Sequence, residues 1–473
     1  MKWITNATAR VRAHVTPAFE LLYLACVFFM MLEIATPLPV SLYKGLYVGT
    51  FIALGVRLIL DKKLGLRRLF SSIRRFYGVL SLFFLLLLYI LADIVGVFYS
   101  PVPDFALVKY LVIVPMLLFL VPTIYYLKST ERLDKLYKTL ALSGLTTGLL
   151  SLSNYFVFEF MPLPYIRRLS MISDYNRYAE NLYISMVLGA FFLLNARFKP
   201  RTQALLLFSH LTFYAVIITL SGSRRTYILM FPALAAILLY KAFYVARYSP
   251  TEISAFKRLI AGVLITILCI GVVGAAENGF KGYSDIKYRQ EVESGGGEVT
   301  EENSVENVID TIGTGGMFDK RAVIWRVAYK EALNYDVKDI LIGRGSGYEV
   351  HLYDITKDET LLKAYASFEN KPKNWMSPHN FVLADFLSGG IIKLGLGLAL
   401  LGAVMVRLVL LFARSPGRAL PLAITMALLY FNVFISGRYG IAYDKFYYIL
   451  LVCLAAESVF AARARDTARA ANG

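Results

Sequence analysis

The chain has 473 residues, of which 57% are hydrophobic and only 18% are charged, and its formal net charge is +17. A soluble globular domain has about 25% charged residues, so the composition excludes an ordinary soluble protein and indicates a polytopic membrane protein. The excess of Lys and Arg does not require a nucleic acid partner, because membrane topology explains most of it.

Residues 1–36 begin with basic residues and continue into an apolar stretch, as a secretory signal does. The apolar part is too long for a signal peptide and lacks a small-x-small cleavage site, so we predict a retained first helix.

Twelve apolar segments are long enough, at roughly 20 residues, to cross the hydrocarbon core of a bilayer. They lie at about 19–36, 42–60, 76–98, 105–127, 139–159, 179–195, 203–221, 226–246, 258–276, 390–412, 419–436 and 442–461. The sequence therefore predicts an all-α polytopic membrane protein, with about 12 transmembrane helices and a large extracytoplasmic loop containing helices between spans 9 and 10. The predicted domains are residues 1–276 with spans 1–9, residues 277–389 as the loop subdomain, and residues 390–473 with spans 10–12 and a tail.

The distribution of basic residues predicts the orientation, because short cytoplasmic loops are enriched in Lys and Arg. Basic residues concentrate in the N-terminus, the C-terminal tail and the loops that a cytoplasmic N-terminus would place inside. The long loop 277–378 has 13 Lys and Arg against 18 Asp and Glu, as expected of an external segment. Both termini are then predicted to be cytoplasmic.

Neither a metal site nor a cofactor is expected. Cys26, Cys269 and Cys453 all lie within predicted spans, which supports neither a disulfide framework nor a thiolate site. The four histidines are scattered and no metal-binding motif accompanies them.

The long loop has three predicted parts. Residues 277–316 are rich in Gly and Glu and predict a loop. Residues 318–335 predict an amphipathic helix with Asp319 as its N-cap and an apolar stripe at helical spacing, formed by Phe318, Ala322, Trp325, Tyr329 and Leu333. The Gly-rich turn "GRGSG" (343–347) could bind phosphate through its backbone N–H groups, although such a sequence is most often only a turn.

Several arginines outside the membrane oppose the topology signal. They are Arg167, Arg168, Arg177, Arg224, Arg225, Arg321, Arg326, Arg344 and Arg438. Each could reach lipid headgroups or pair with a carboxylate. Several of them lie at predicted helix starts, where a cation opposes the helix dipole unless an anion is bound, so together they favour a phosphate or pyrophosphate ligand.

The stretch "SPHN" marks the start of a predicted helix that runs to Gly389-Gly390. Ser377 is expected to be the N-cap, followed by Pro378, His379 and Asn380 in the first turn. The positive end of the helix dipole would keep His379 neutral and able to accept a proton. A histidine that only contacts headgroups or the loop is an equally acceptable interpretation of position alone.

Three motifs together resemble the O-antigen ligase (WaaL) and O-antigen polymerase (Wzy) superfamily: "SGSRRTY", "RAVIWRVAYKEAL" followed by "ILIGRGSGY", and "SPHNFVLADFLSGG". The late periplasmic insert is also similar, whereas the acidic, Gly-rich segment 291–306 has no counterpart. The resemblance implies catalytic roles for His379, Arg224 and Arg321. It implies substrate binding, less distinctively, for Arg167, Arg168, Arg225, Arg344, Asn380 and Arg438.

The implied function is transfer of a glycan from undecaprenyl pyrophosphate to the lipid A-core oligosaccharide, at the periplasmic side of the bacterial inner membrane. Arginines would bind the pyrophosphate and His379 would be the general base of a metal-independent, inverting reaction. The implied partners are this donor, this acceptor and the lipid bilayer.

Three alternatives remain from the sequence: an O-antigen polymerase, a protein O-oligosaccharyltransferase and a polysaccharide transporter. Transport would require ionisable groups deep within spans. Asp93 and Glu33 are the candidates and both lie near predicted span ends, which disfavours transport.

Overall fold

The structure, a computed structural model, describes residues 2–32, 42–60, 67, 71, 73–74, 76, 80–172, 174–196, 198–240, 255–293, 316–356, 358–364, 376–436 and 440–472. All regular secondary structure in these ranges is helical. The prediction of an all-α polytopic membrane protein is therefore confirmed.

The chain forms two compact units, and the first comprises Met1–Lys62 and Glu131–Gly313. Its helices are α1 (Lys2–Leu32), α2 (Leu42–Leu60), α5 (Thr130–Ser153), α6 (Tyr175–Asn195), α7 (Pro200–Leu220), α8 (Arg224–Leu239) and α9 (Ala255–Glu293). A π-helical turn, Asn154–Phe158, follows α5. Within this unit α1 packs against α2, and α7 packs against both α6 and α9.

The second unit comprises Lys63–Thr130 and Thr314–Gly473. Its helices are α3 (Leu80–Val97), α4 (Pro103–Tyr126), α10 (Gly316–Leu333), α11 (Val337–Ile342), α12 (Tyr348–Ile355), α13 (Glu359–Ala364), α14 (Phe381–Arg414), α15 (Pro416–Ser436) and α16 (Lys445–Asn472). Helix α14 packs against α3, α11, α15 and α16, so it is the central element of this unit.

Every one of the twelve predicted spans overlaps a helix, and ten helices of the described residues are long and apolar enough to cross a membrane. The other two are α8, which has 16 residues, and α6. Helix α6 carries Glu180 and Asn181 on its buried surface, and Asn181 Nδ2 donates to Met31 O at 2.8 Å. The span count of twelve stays a prediction.

The predicted loop after residue 276 is wrong for its first part, because α9 continues to Glu293. Contacts within the first unit hold this extension: Phe280 packs 5.0 Å from the Tyr155 ring, and Lys287 pairs with Glu159. Most of the acidic segment 291–306 lies outside the described residues. The predicted domain boundaries stay predictions, although α9 and α14 continue across residues 276 and 389.

Helix α10 is present as predicted, but its buried face and its cap differ. It spans Gly316–Leu333, so Asp319 lies inside the helix and is not the N-cap. The buried stripe is Ile324, Val327 and Ala328, whereas Tyr329 is 58% and Leu333 67% exposed. Two apolar stripes share the same helical period, and only packing against the rest of the second unit selects one of them.

Candidate functional site

The first unit gathers four arginines near the turn Ser221–Ser223 between α7 and α8. Arg224 and Arg225 follow the turn directly, in the first turn of α8. The loop before α6 lies alongside, because Leu169 N donates to Leu220 O at 2.9 Å. The side chain of Arg168 packs on Gly222, whose φ of +72° suits glycine and whose missing Cβ would lie 3.5 Å from Arg168 Cδ.

Aromatic rings rather than carboxylates hold Arg168. Its guanidinium carbon lies 4.0 Å from the centroid of the Tyr175 ring and 5.7 Å from that of Tyr165. It forms no salt bridge with any residue in the described ranges. Stacking positions a guanidinium without neutralising it, so Arg168 keeps its charge for a ligand.

Arg167, in contrast, has a carboxylate partner. Its guanidinium lies 3.1 Å from Asp285 Oδ1 on the extension of α9, and 4.1 Å from the centroid of the Tyr288 ring. These contacts join the loop before α6 to α9, which gives Arg167 a structural role in addition to any contact with substrate.

The amino end of α8 has no side-chain cap. Ser223 is its N-cap residue but makes no side-chain cap bond, because its Oγ donates to Asn176 Oδ1 at 3.0 Å and lies 3.1 Å from Thr226 Oγ1. Nε of Arg225 is buried and has no hydrogen-bond partner among the described residues. Uncapped N–H groups, the positive end of the helix dipole and a guanidinium together favour a phosphate.

In the second unit the SPHN helix start differs from the prediction. Asn380, not Ser377, is the N-cap of α14: its backbone is extended at φ −156°, and its Oδ1 accepts from Val382 N at 2.9 Å and Leu383 N at 3.3 Å. His379 precedes the helix in the left-handed conformation, with φ of +50°. Asn380 can replace Ser377 as the cap residue because Asn is at least as favourable at an N-cap as Ser.

The predicted end of this helix at Gly389-Gly390 is also wrong, since α14 continues to Arg414. Gly390 has φ +60° and ψ −159°, so the helix breaks locally and resumes. A Cβ on Gly390 would lie 2.5 Å from Leu341 O, which shows that α11 packs directly on the break. Glycine marks a close backbone approach here rather than a helix end.

Arg321 and His379 lie in the same part of the second unit. Trp325, one turn after Arg321, packs 6.3 Å from the Phe434 ring, and Phe381, two residues after His379, packs 6.5 Å from the same ring. Both Arg321 and His379 are partly exposed. Arg224 belongs to the first unit, and Arg438 lies outside the described residues.

Arg344 has its charge neutralised by two carboxylates that the sequence analysis did not connect to it. It pairs with Glu331 and lies 2.6 Å from Asp339 Oδ2, and it donates to the Tyr348 hydroxyl at 2.7 Å. Burial, together with a hydrogen bond to Glu331, raises the pKa of Tyr348 to about 12, so the phenol remains a donor. Arg344 stays a predicted substrate-binding residue without geometric support.

The Gly-rich turn 343–347 offers no free backbone N–H group for phosphate. Each of its five N–H groups already donates within the second unit, to Asp339 O, Leu387 O, Ser388 O, Gly96 O and Glu349 Oε2, at 2.8 to 3.0 Å. The idea of a phosphate-binding loop is therefore wrong, and the turn instead joins α3 to α14.

The second unit contains a cluster of buried charged residues, of which only Asp93 was singled out from the sequence. Lys393 Nζ lies 2.5 Å from Asp93 Oδ1 and 3.4 Å from Asp385 Oδ1, and Lys109 Nζ lies 2.5 Å from Glu349 Oε1. All five side chains are almost fully buried. A lysine inside an apolar span is energetically costly unless it is paired. Lys109 and Lys393, which lie within predicted spans, were therefore the feature of the sequence that could have indicated this cluster.

Tyrosine and serine hydroxyls complete this cluster. Tyr89 Oη donates to both carboxylate oxygens of Asp385 at 2.8 and 2.9 Å. Ser346 Oγ, on the Gly-rich turn, donates to Asp93 Oδ1 at 3.1 Å and accepts from Lys109 Nζ at 3.2 Å. The cluster thus holds α3, α4 and α14 to the turn through side chains as well as backbone.

Comparison with known proteins identifies part of the chain. Residues 207–396 match the model of a family described as O-antigen ligase, and this segment contains Arg224, Arg225, Arg321, Arg344, His379 and Asn380. No curated protein matches the chain. The family match confirms the predicted resemblance and supports an O-antigen ligase or polymerase type of function in a multi-pass membrane protein. Residues 207–396 of the chain are therefore similar to the O-antigen ligase family.

Proposed function

We propose that the protein is an O-antigen ligase. It transfers a glycan from undecaprenyl pyrophosphate to the lipid A-core oligosaccharide, on the periplasmic side of the bacterial inner membrane. The observation that carries this proposal is the uncapped amino end of α8, where Arg225 and the stacked Arg168 form no salt bridge with a described residue. Arg225 lies within the segment that matches the O-antigen ligase family.

The donor's pyrophosphate binds to Arg224, Arg225 and Arg168 of the first unit. Arg321, which belongs to the second unit, is proposed as a further catalytic arginine. A guanidinium can donate two parallel hydrogen bonds to phosphate oxygens, which fixes the leaving group as well as stabilising its charge. Arg344 is left out of this set, because Glu331 and Asp339 already neutralise it.

The reaction requires two changes at one carbon. The bond between the anomeric carbon and the pyrophosphate oxygen breaks, with its electrons leaving on undecaprenyl pyrophosphate, and the acceptor hydroxyl oxygen forms the new bond. Direct displacement inverts the anomeric carbon. The arginines stabilise the leaving pyrophosphate as its charge grows, and His379 removes the proton from the acceptor hydroxyl.

The position of His379 suits a general base. It directly precedes the amino end of α14, whose dipole disfavours the imidazolium form and keeps the ring ready to accept a proton. Its left-handed backbone, rare for residues other than glycine, is a conformation that is common at functional sites. The adjacent Asn380 holds that geometry by capping the helix.

Reconstitution with defined lipids tests this function. Purified protein in liposomes receives a glycan on undecaprenyl pyrophosphate and one of three acceptors: lipid A-core, a second undecaprenyl-linked glycan, or an acceptor protein. The proposal expects transfer to lipid A-core alone. Elongation of the undecaprenyl-linked glycan would identify a polymerase, and transfer to the protein would identify a protein O-oligosaccharyltransferase; either result would overturn the assignment.

A further inference from the structure

A second basic site lies at the far end of the second unit from His379. Helix α14 begins beside His379 and ends at Arg414, so its 34 residues separate the two ends by roughly 50 Å. At the Arg414 end a cavity of about 520 Å³ opens between the α14–α15 turn and residues 457–465 of α16. The predicted topology puts this end at the cytoplasmic face.

Three arginines line the cavity, and two of them are unneutralised. Arg418 Nη1 lies 3.1 Å from Glu457 Oε1, a carboxylate that is almost fully buried. Arg414 and Arg465 also line the cavity, and neither forms a salt bridge with a residue of the described ranges. Two positive charges therefore remain in a cavity large enough for a small organic anion.

The rest of the lining is largely apolar. Phe460 and Ala461 on α16 form one wall, and Ser415 contributes a hydroxyl beside the arginines. A free phosphate would use only the basic part of this lining. A phospholipid headgroup would use both parts, because its phosphate is anionic and its glycerol and ester groups are less polar.

We propose that this cavity binds the phosphate of an anionic phospholipid headgroup from the cytoplasmic leaflet. Arg414 and Arg465 hold the phosphate by charge-assisted hydrogen bonds, and Arg418, fixed by Glu457, forms the third side of the site. Basic pockets between the ends of transmembrane helices are suited to such lipids, since the leaflet itself supplies a high local concentration of anionic headgroups.

The test compares two double variants in nanodiscs. Arg414→Gln with Arg465→Gln removes the charges of the site, whereas Arg201→Gln with Arg463→Gln removes two exposed arginines that do not line the cavity. Each protein is placed in nanodiscs of phosphatidylcholine with a trace of phosphatidylglycerol, and the retained phosphatidylglycerol is counted by native mass spectrometry. Thermal unfolding checks that both variants are folded.

We expect wild type and the control variant to retain phosphatidylglycerol, and the cavity variant to lose about tenfold or more in occupancy, as for the loss of charge-assisted contacts. Equal retention by both variants would overturn the proposal. A competition arm separates the sources of phosphate. Inorganic phosphate at millimolar concentration should not displace the lipid, and its displacement of the lipid by binding to the same arginines would show that the site takes the free anion instead.

Discussion

Lys393 Nζ lies 2.5 Å from Asp93 Oδ1, although the two residues are 300 positions apart in the sequence. The pair joins α3 to α14 just beyond the break at Gly390, and both side chains are almost fully buried. A second carboxylate, Asp385, lies 3.4 Å from the same Nζ, so Lys393 pairs with two buried carboxylates.

Removal of that cation should destabilise the second unit strongly. We expect Lys393→Met to lower the free energy of unfolding by about 3–5 kcal/mol, because it removes the ion pairs that Lys393 forms with the buried Asp93 and Asp385. Thermal unfolding in detergent measures the effect, with the exposed Lys338→Met as the matched control. Adding Asp93→Asn to Lys393→Met should recover part of the loss. Equal unfolding temperatures for Lys393→Met and Lys338→Met would show that the ion pair of Lys393 and Asp93 does not contribute to stability.

The observed N-cap of α14 predicts different effects of substituting Asn380 and Ser377. Asn380→Ala should cost about 1 kcal/mol of stability, because it removes the acceptor for the N–H groups of Val382 and Leu383. Asn380→Asp should retain most of the stability. Ser377→Ala should have little effect, since Ser377 does not cap the helix. The reverse order of stabilities for Asn380→Ala and Ser377→Ala, measured by chemical unfolding, would restore the cap predicted from the sequence.

Substitution of the arginines proposed for pyrophosphate binding and catalysis should lower glycan transfer, whereas substitution of an exposed arginine outside this set should not. Arg224→Ala, Arg225→Ala and Arg321→Ala should each lower kcat/KM for transfer by roughly 100-fold, the effect of losing one donor to a developing negative charge. Arg→Lys at these positions should retain partial activity, because charge is kept while the bidentate geometry is lost.

The exposed Arg289 provides the control for this series, since it lies on α9 and has no part in the proposed site. Arg289→Ala should transfer at the wild-type rate. Arg344→Ala should lower stability, through its lost pairs with Glu331 and Asp339, more than it lowers transfer by the folded protein. Wild-type transfer by folded Arg224→Ala and Arg321→Ala would remove both residues from the mechanism.

Transfer should not depend on a divalent metal, because guanidinium groups are proposed to stabilise the leaving pyrophosphate. Initial rates in EDTA should equal those with added Mg²⁺. A loss of activity in EDTA that Mg²⁺ restores would assign to a metal the role that this account gives to Arg224, Arg225 and Arg321.

The sequence predicted the helices well, because long apolar runs in a membrane protein permit few other structures. It predicted faces and ends less well. For α10 the two apolar stripes have the same period, and for α14 both Ser377 and Asn380 are acceptable caps. The pair Gly389-Gly390 is typical of a helix end. In the structure, Gly390 instead forms a break within a longer helix, where its backbone packs against Leu341.

The partners of the charged residues could not be identified from the sequence either. The excess of external arginines indicated an anion site, but only contacts separate Arg168, which stacks on Tyr175, from Arg344, which pairs with two carboxylates. The buried pair of Lys393 and Asp93 could not be paired from the sequence, because 300 residues separate the partners. A span lysine indicates that a partner exists without identifying it.

Glycan transfer by purified His379→Asn tests whether His379 is the general base. Asparagine tolerates the left-handed backbone found at residue 379, so this variant removes the base with less strain than alanine would introduce. His351→Asn, a histidine change on α12, is the control. We predict that His379→Asn binds the donor normally but transfers the glycan roughly 10²- to 10⁴-fold more slowly, and that His351→Asn transfers at the wild-type rate. Turnover by His379→Asn near that of wild type would contradict the assignment of His379 as the general base.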